Sequence, residues 1–428
     1  MLEKVLKKIK PSEAESKKIE RIANSIIKEI NDIGYEAELV GSVARDTYVA
    51  GDKDIDIFVF FPESTSREEL EKKGTAVGIT VLADYKPKMH YAEHPYVKAT
   101  IEDVDIDVVP CYRVKDKIIS AVDRSPLHNK YIKKKLTEQK QRDEVRLLKQ
   151  FMKAGDIYGA DQRVNGFSGY LCELFILKYG SFSKLAEAAA KEWNKKILID
   201  IEQIGKGDDK FIEPLVVIDP VDKDRNVAAA VSRTVLSKFI LRCRKYLEKP
   251  NKDFFEPKKN KVDVKEMLEG RKMLIVSFAY PKDVNEEIVW SQLEKLAKMI
   301  KIQLQDREFL VYRSMYWTDE KDECALAFEL NTLELSRYTK HRGPEVWDNE
   351  NTKAFIEKNP MYWPSRSVIC AWKERELSKA ADVIEKVLKS GSVPSHLKKE
   401  IMKKYKIRDT DKAHKEKELM EKYFDFSV

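Results

Sequence analysis

The spacing of apolar positions changes period several times in the first hundred residues, and each change marks an element. Ser12 precedes Glu15 in the spacing of a capping box, and Ile19, Ile22, Ile26, Ile30 and Ile33 then recur at steps of three and four before Gly34. That pattern predicts a helix with a glycine stop. Ala37–Val40 reads as a strand and Gly41-Ser42 as the turn into a short helix. Over the next strand Ile55, Ile57, Val59 and Phe61 alternate with Asp54, Asp56, Phe58 and Phe60, the period of two that sends neighbours to opposite faces. Tyr96–Ile101 and Val104–Val109 form a hairpin about Glu102-Asp103, with Asp105, Asp107 and Val109 on one side of its second strand.

Farther along, Glu144–Met152 is helical, with Val145, Leu148 and Met152 inward and Lys149 beside them. Gly166-Phe167-Ser168-Gly169-Tyr170 leads into an apolar helix, which places Ser168 at its N-terminus. Val216–Asp219 is a buried strand ended by Pro220, and Arg225-Asn226-Val227-Ala228 precedes a helix whose inner side is Val235, Phe239, Cys243 and Tyr246. Lys258-Lys259-Asn260-Lys261 has the composition of a linker. Beyond it, a strand at Met273–Tyr280, a helix at Asn285–Leu304 and strands at Phe309–Tyr312 and Ala325–Leu330 suggest a small α+β domain. The last hundred residues read as mostly helical and lysine-rich.

Composition narrows the class. A chain of 428 residues exceeds a single core and suggests roughly two to four domains. Its 36% charged residues lie above the usual quarter, and a net charge of +7 favours a polyanionic partner. The basic stretch from Lys115 to Arg142, with Lys130, Lys133, Lys134, Lys135 and Lys140, reads first as a solvated face. Five scattered cysteines (Cys111, Cys172, Cys243, Cys324, Cys370) without a Cys-x-x-Cys pair argue against a disulfide framework or zinc site. No apolar run approaches a membrane span and Met1-Leu2-Glu3-Lys4 does not begin a signal peptide. A cytoplasmic location is expected.

The candidate chemistry lies between Gly41 and Pro62. Asp54 and Asp56 share one face of a strand, roughly 7 Å apart at Cα. Two carboxylates that close repel unless a cation sits between them, and hard oxygens suit Mg²⁺ with its remaining positions filled by water and phosphate. Gly41 allows close backbone approach, and Ser42 and Arg45 add donors for a phosphate beside a helix start. A third carboxylate can join from the hairpin, and position alone does not choose between Asp105 and Asp107.

Gly41-Ser42-x-x-Arg45 with Asp54-x-Asp56 resembles the signature of polymerase β-type nucleotidyltransferases. More narrowly, Ala92-Glu93-His94-Pro95-Tyr96, Asp107-Val108-Val109-Pro110-Cys111-Tyr112, Ala121-Val122-Asp123-Arg124-Ser125-Pro126-x-His128 and Gly166-Phe167-Ser168-Gly169-Tyr170-Leu171-Cys172-Glu173 are similar to blocks of the archaeal, class I CCA-adding tRNA nucleotidyltransferases. The resemblance is specific over about residues 40–230 and looser beyond. It implies an α+β multidomain fold: a polymerase β-like nucleotidyltransferase head at 1–142, a helical central domain at 143–256, and an α+β body with a helical tail at 257–428.

By the same resemblance, Asp54, Asp56 and Asp107 hold two Mg²⁺ ions, which selects Asp107 over Asp105. Ser42 and Arg45 hold the incoming triphosphate, while His128, Lys149, Tyr158 and Ser168 match nucleotide contacts. Arg225 matches an arginine that reads the base together with the tRNA backbone. The implied reaction adds CTP and ATP to the tRNA 3′ end without a nucleic-acid template, releasing pyrophosphate. The partners are the tRNA acceptor arm and its 3′ end, and a homodimer is plausible. Two alternatives share this fold: a poly(A) or oligoadenylate polymerase, and a catalytically silent RNA binder. Three intact carboxylates argue against the silent binder.

Overall fold

The computed structural model describes all residues except 92–93, 115–117, 206–209, 258–261, 415 and 426–428. The expected linker at 258–261 and the Ala92-Glu93 and Lys115 positions therefore lie outside the described residues. The chain divides into two compact units, with the break after Lys258.

The first unit opens with helices α1 (Leu2–Ile9) and α2 (Glu13–Asp32), then strand β1 (Glu36–Val40), the one-turn helix α3 (Gly41–Ala44), β2 (Asp54–Phe61), α4 (Arg67–Val81), β3 (Lys88–Tyr91), β4 (Pro95–Ile101) and β5 (Val104–Tyr112). Glu102 and Asp103 both take positive φ in the β4–β5 turn, as a tight two-residue hairpin requires. The sheet order is β1-β2-β5-β4-β3, with β2 and β5 parallel and the other pairs antiparallel.

The alternation along β2 is what orients this sheet. Ile55, Ile57, Val59 and Phe61 pack beneath α2 and α4 with Ile19, Ile22, Ile26, Ile30, Leu70 and Val77. Phe58 and Phe60 pack on the opposite face with Val40 and Cys111, so Asp54 and Asp56 open onto that second face. The capping box at the start of α2 is half formed. Ser12 Oγ accepts from Glu15 N, but the Glu15 carboxylate turns away to accept from Gly51 N at 2.9 Å. The helix is thereby tied to the loop that leads into β2.

A second core follows, from helices α5 (Arg124–Lys135), α6 (Gln139–Lys153), α7 (Gly169–Tyr179) and α8 (Phe182–Lys191), strands β6 (Ile197–Ile199), β7 (Leu215–Asp219) and β8 (Asp222–Asn226), and helix α9 (Arg233–Glu248). Phe151, Phe167, Phe175, Phe182 and Phe239 lie at its centre, and α1 and α5 add Val5, Ile9, Ile132 and Leu136.

The second unit starts with α10 (Val264–Leu268), β9 (Lys272–Ala279), α11 (Glu286–Gln305), β10 (Val311–Thr318) and β11 (Glu323–Leu330). There follow β12 (Tyr338–Glu345), α12 (Asn349–Lys358), β13 (Tyr362–Ser365), β14 (Val368–Glu374), α13 (Ala380–Leu388), α14 (Ser395–Lys403), β15 (Tyr405–Asp409), α15 (Thr410–Ala413) and α16 (Lys417–Tyr423). The sheet β10-β11-β9-β15 packs α11, α13 and α14 on one face and α10 and α16 on the other.

Two expectations are corrected here. The strand expected at Phe309–Tyr312 begins at Val311 and runs to Thr318. Phe309 N bonds back to Leu304 O, and Glu308 has φ +71°, so Phe309 belongs to the end of α11. The last hundred residues are not mostly helical, since they include the sheet β12-β14-β13. Both faces of β12 are at least partly solvated, and a strand without a buried face carries no alternation to read.

Gly78 on α4 sits against the sheet, and a Cβ there would stand 2.7 Å from Val97 Cβ. Alanine would favour the helix by about 1 kcal/mol, while overpacking costs about 1–3 kcal/mol. Gly78→Ala is expected to lower the thermal midpoint read by circular dichroism, and a raised midpoint would show that the sheet yields.

Candidate active site

The parallel register of β2 and β5 sets Asp54 opposite Asp105 and Asp56 opposite Asp107. Paired residues point to the same face, so four carboxylates share one patch. They are not equivalent. Burial works against ionisation of Asp105, but the Thr100 hydroxyl donates to it at 2.7 Å and Lys98 Nζ lies 3.1 Å away, and together they hold its carboxyl below the ordinary range. Asp107 keeps a buried Oδ1 with no hydrogen-bond partner. Burial, with Asp54 nearby, raises its pKa despite the opposing Lys98 charge. Asp54 is also raised, by burial first and by Asp105 among its neighbours. Asp56 is pushed up to about 6 by burial and then by the charges of Asp107 and Asp54.

Gly41 makes this crowding sterically possible. Its φ of +81° suits glycine, and a Cβ there would overlap Asp56 Oδ2. Ser42 follows at the start of α3 and Arg45 caps its end.

Arg45 is held from outside the sheet. Its Nε donates to Glu173 Oε1 at 2.9 Å, and the Thr47 hydroxyl donates to the same oxygen at 2.5 Å. Glu173 is fully buried on α7. Lys149 of α6, also buried, donates to Thr47 O at 2.9 Å, and burial lowers its pKa against the raising effect of Glu173. Tyr158 meets the same cluster beside Gly169, the residue that follows Ser168. A Cβ on Gly169 would be 3.0 Å from the Tyr158 hydroxyl and 3.4 Å from Lys149 Nζ. Ser168 caps α7 by accepting from Leu171 N.

A second buried carboxylate organises the remaining predicted residues. Asp219, at the end of β7, accepts from His128 Nε2 at 2.8 Å, from Arg225 at 2.7 Å and from the Tyr170 hydroxyl at 3.2 Å. His128 stacks on Tyr170 with ring centroids 3.8 Å apart. Burial disfavours the Asp219 charge, yet His128 and Arg225 hold its pKa below the ordinary value. Burial lowers the pKa of His128 even against the Asp219 contact.

Comparison with known proteins matches three stretches of the chain. Residues 19–141 match a family described as a nucleotidyltransferase domain, residues 143–256 the second domain of tRNA nucleotidyltransferase, and residues 269–410 the C-terminal domain of CCA-adding enzyme. A CCA-adding enzyme of Methanocaldococcus jannaschii is 38% identical over 93% of this chain and 93% of its own length. The chain belongs to the CCA-adding enzyme family. A relative of that name from Methanoregula boonei is 42% identical, covering 82% of this chain and 77% of its own. One from Archaeoglobus fulgidus is 38% identical, covering 85% and 83%.

As a CCA-adding nucleotidyltransferase, the chain carries a polymerase β-like head and adds CCA to tRNA by nucleotidyl transfer. The family takes nucleoside triphosphates with a divalent metal, and tRNA is the acceptor. The residues present fit such an ion. Asp107 offers an unpartnered buried oxygen, the missing Cβ at Gly41 leaves Asp56 Oδ2 room, and the donors are hard carboxylate oxygens. Among the described residues no three acidic, histidine or cysteine side chains close on one point. Mg²⁺ asks for no such cage, because it takes one or two carboxylates and completes its shell with water and phosphate. Among the described residues no helix is long and apolar enough to cross a membrane.

Sequence reasoning passed over Glu173, Asp219, Thr47 and Lys98. The first two carried a signal: Glu173 is the only acid in the apolar run of α7, and Asp219 ends an apolar strand before Pro220. A lone acid inside an apolar element must find a cation or hydrogen bonds.

The raised carboxyl of Asp56 has a consequence for stability. In the metal-free protein burial holds it protonated up to about pH 6, so the stability it contributes is present at low pH and lost as pH rises from 3.8 through about 6. A divalent cation replaces the proton above that range. Mg²⁺ is therefore expected to raise the melting temperature more near pH 7.5 than near pH 5, and an equal rise at both would exclude these carboxylates as its site.

Proposed function

We propose that the chain completes or repairs the 3′ end of tRNA by adding C, C and A in turn, with catalysis at Asp54, Asp56 and Asp107. The observation that carries this reading is the pairing of Asp56 with Asp107 across parallel strands, beside a glycine whose side chain would fill the gap. In this reading Asp54, Asp56 and Asp107 would hold two Mg²⁺ ions. Ions held there would supply charge neutralisation for the triphosphate and a lowered pKa for the attacking hydroxyl.

The chain's own residues align the substrates. Arg45, fixed through Nε, presents its outer guanidinium nitrogens to the phosphates beside Ser42. In this reading Lys149, Tyr158 and Ser168 contact the nucleotide, as does His128, which is held on Asp219. The 3′ oxygen attacks the α-phosphorus, the bond to the β-phosphate oxygen breaks, and pyrophosphate leaves. Such a transfer depends on alignment and charge neutralisation more than on covalent help. Arg225, tethered to Asp219, reads the base together with the growing RNA end.

Head, central and tRNA-binding domains divide in this reading at 1–142, 143–256 and 257–428. Exposed Lys130, Lys133, Lys134 and Lys140, with the C-terminal domain, grip the acceptor arm by its phosphates and 2′-hydroxyls. Kinship with the family also argues for a cytoplasmic homodimer, which sedimentation would test.

With Mg²⁺ and tRNA lacking its CCA end, CTP alone is expected to give two additions, and CTP with ATP a stop at three. A long ladder with ATP would make the chain a poly(A)-type polymerase. Asp56→Ala is expected to abolish incorporation while tRNA still binds, and normal turnover by that variant would remove the site. tRNA affinity should fall steeply between low and moderate salt in a filter-binding assay, and a flat response would contradict the phosphate contacts.

A further inference from the structure

The four carboxylates share their face with a cation from the next strand. Lys98 stands directly opposite Asp107 across the β4–β5 ladder, and Thr100 stands opposite Asp105. Directly opposed residues have Cβ atoms roughly 4.5–5.5 Å apart, so the lysine reaches Asp107 by default. It leans diagonally instead. Its Nζ is 3.1 Å from Asp105 Oδ2 and 3.9 Å from Asp107 Oδ1, and the longer separation is attraction without a hydrogen bond. Asp105 is in turn held by Thr100 Oγ1 at 2.7 Å. The outcome is an unpartnered oxygen on Asp107 with a lysine charge parked just beyond it.

We propose that Lys98 is a resident counter-cation of the catalytic carboxylates, and that Asp105 is a positioning residue that tethers it off Asp107. This rests on the proposed metal role of Asp54, Asp56 and Asp107. Without substrates, the ammonium adds to the partial neutralisation that Arg45 gives Asp56 and Lys153 gives Asp54, and it is the cation that stands against Asp105 and Asp107. It also repels a divalent ion approaching the same face, so the site binds metal weakly until a triphosphate adds its own negative charge. The tether matters because an untethered Lys98 would bond to Asp107 and remove a ligand. Asp105 thus serves the site without touching metal or substrate, which accounts for two acids on one strand with different surroundings.

The test is Mn²⁺ titration of the full-length, nucleotide-free protein by calorimetry at fixed pH and salt, with no turnover required. Lys98→Met is expected to bind Mn²⁺ about tenfold more tightly, the scale of removing one nearby charge from a partly screened site. Lys98→Gln should tighten binding as well, which guards against a packing effect peculiar to methionine. Asp105→Asn is expected to weaken binding, and Lys98→Met/Asp105→Asn should bind as Lys98→Met does, because Asp105 acts through the lysine. Unchanged or weaker binding by both Lys98 variants would overturn the proposal. Additive effects in the double variant would overturn the tether, leaving Asp105 as a direct contributor of charge. Asp56→Asn is the control that separates the two readings: Mn²⁺ binding that survives it would place the metal elsewhere and remove the site itself.

Discussion

The parallel pairing of β2 with β5 is the constraint on which this molecule depends. It joins two strands far apart in sequence in one register, and that register places Asp56 beside Asp107. A slip of one residue would turn every side chain of β2 over, driving Asp54 and Asp56 into the apolar layer beneath α2 and α4. Ile55, Ile57 and Val59, packed there with Ile22, Ile26 and Val77, make such a slip costly. The hydrophobic face of the sheet therefore fixes the geometry of its acidic face. Gly41 completes the arrangement by leaving Asp56 the space a side chain would have taken.

Around that face the charged residues are ordered by two acids with no exposure of their own. Glu173 and Asp219 are fully buried, and a buried carboxylate is tolerated only when cations and donors surround it. Glu173 gathers Arg45 and Thr47, and through Thr47 the ammonium of Lys149; Asp219 gathers His128, Arg225 and the Tyr170 hydroxyl. Each set brings together elements from different parts of the first unit. Long flexible side chains are thereby held before any ligand arrives, which lowers the ordering cost that binding would otherwise carry. The polar residues of the site are thus also part of what joins the first sheet to the helical core.

The second unit shows where sequence patterning stops being informative. β9 and β11 are buried apolar runs and were legible. β10 carries Arg313, Ser314 and Thr318 among its apolar residues, and β12 is mainly polar. Such strands form because partners on either side satisfy their backbone groups, and that condition leaves little mark on local composition.

The sequence by itself determined the elements whose period is enforced by burial: the α2 helix, the β2 alternation, the hairpin at Glu102-Asp103 and the caps at Ser12 and Ser168. It also determined the chemical kinds present, including paired acids on a strand after a Gly-Ser turn. Periodicity named two candidates for the third carboxylate; their inequality was decided by tertiary structure, because Thr100 and Lys98 reach Asp105 from another strand. The same holds for Glu173 and Asp219. A residue's own neighbours in sequence fix its face on a strand or helix, but the cations that make a buried charge tolerable come from elsewhere in the fold.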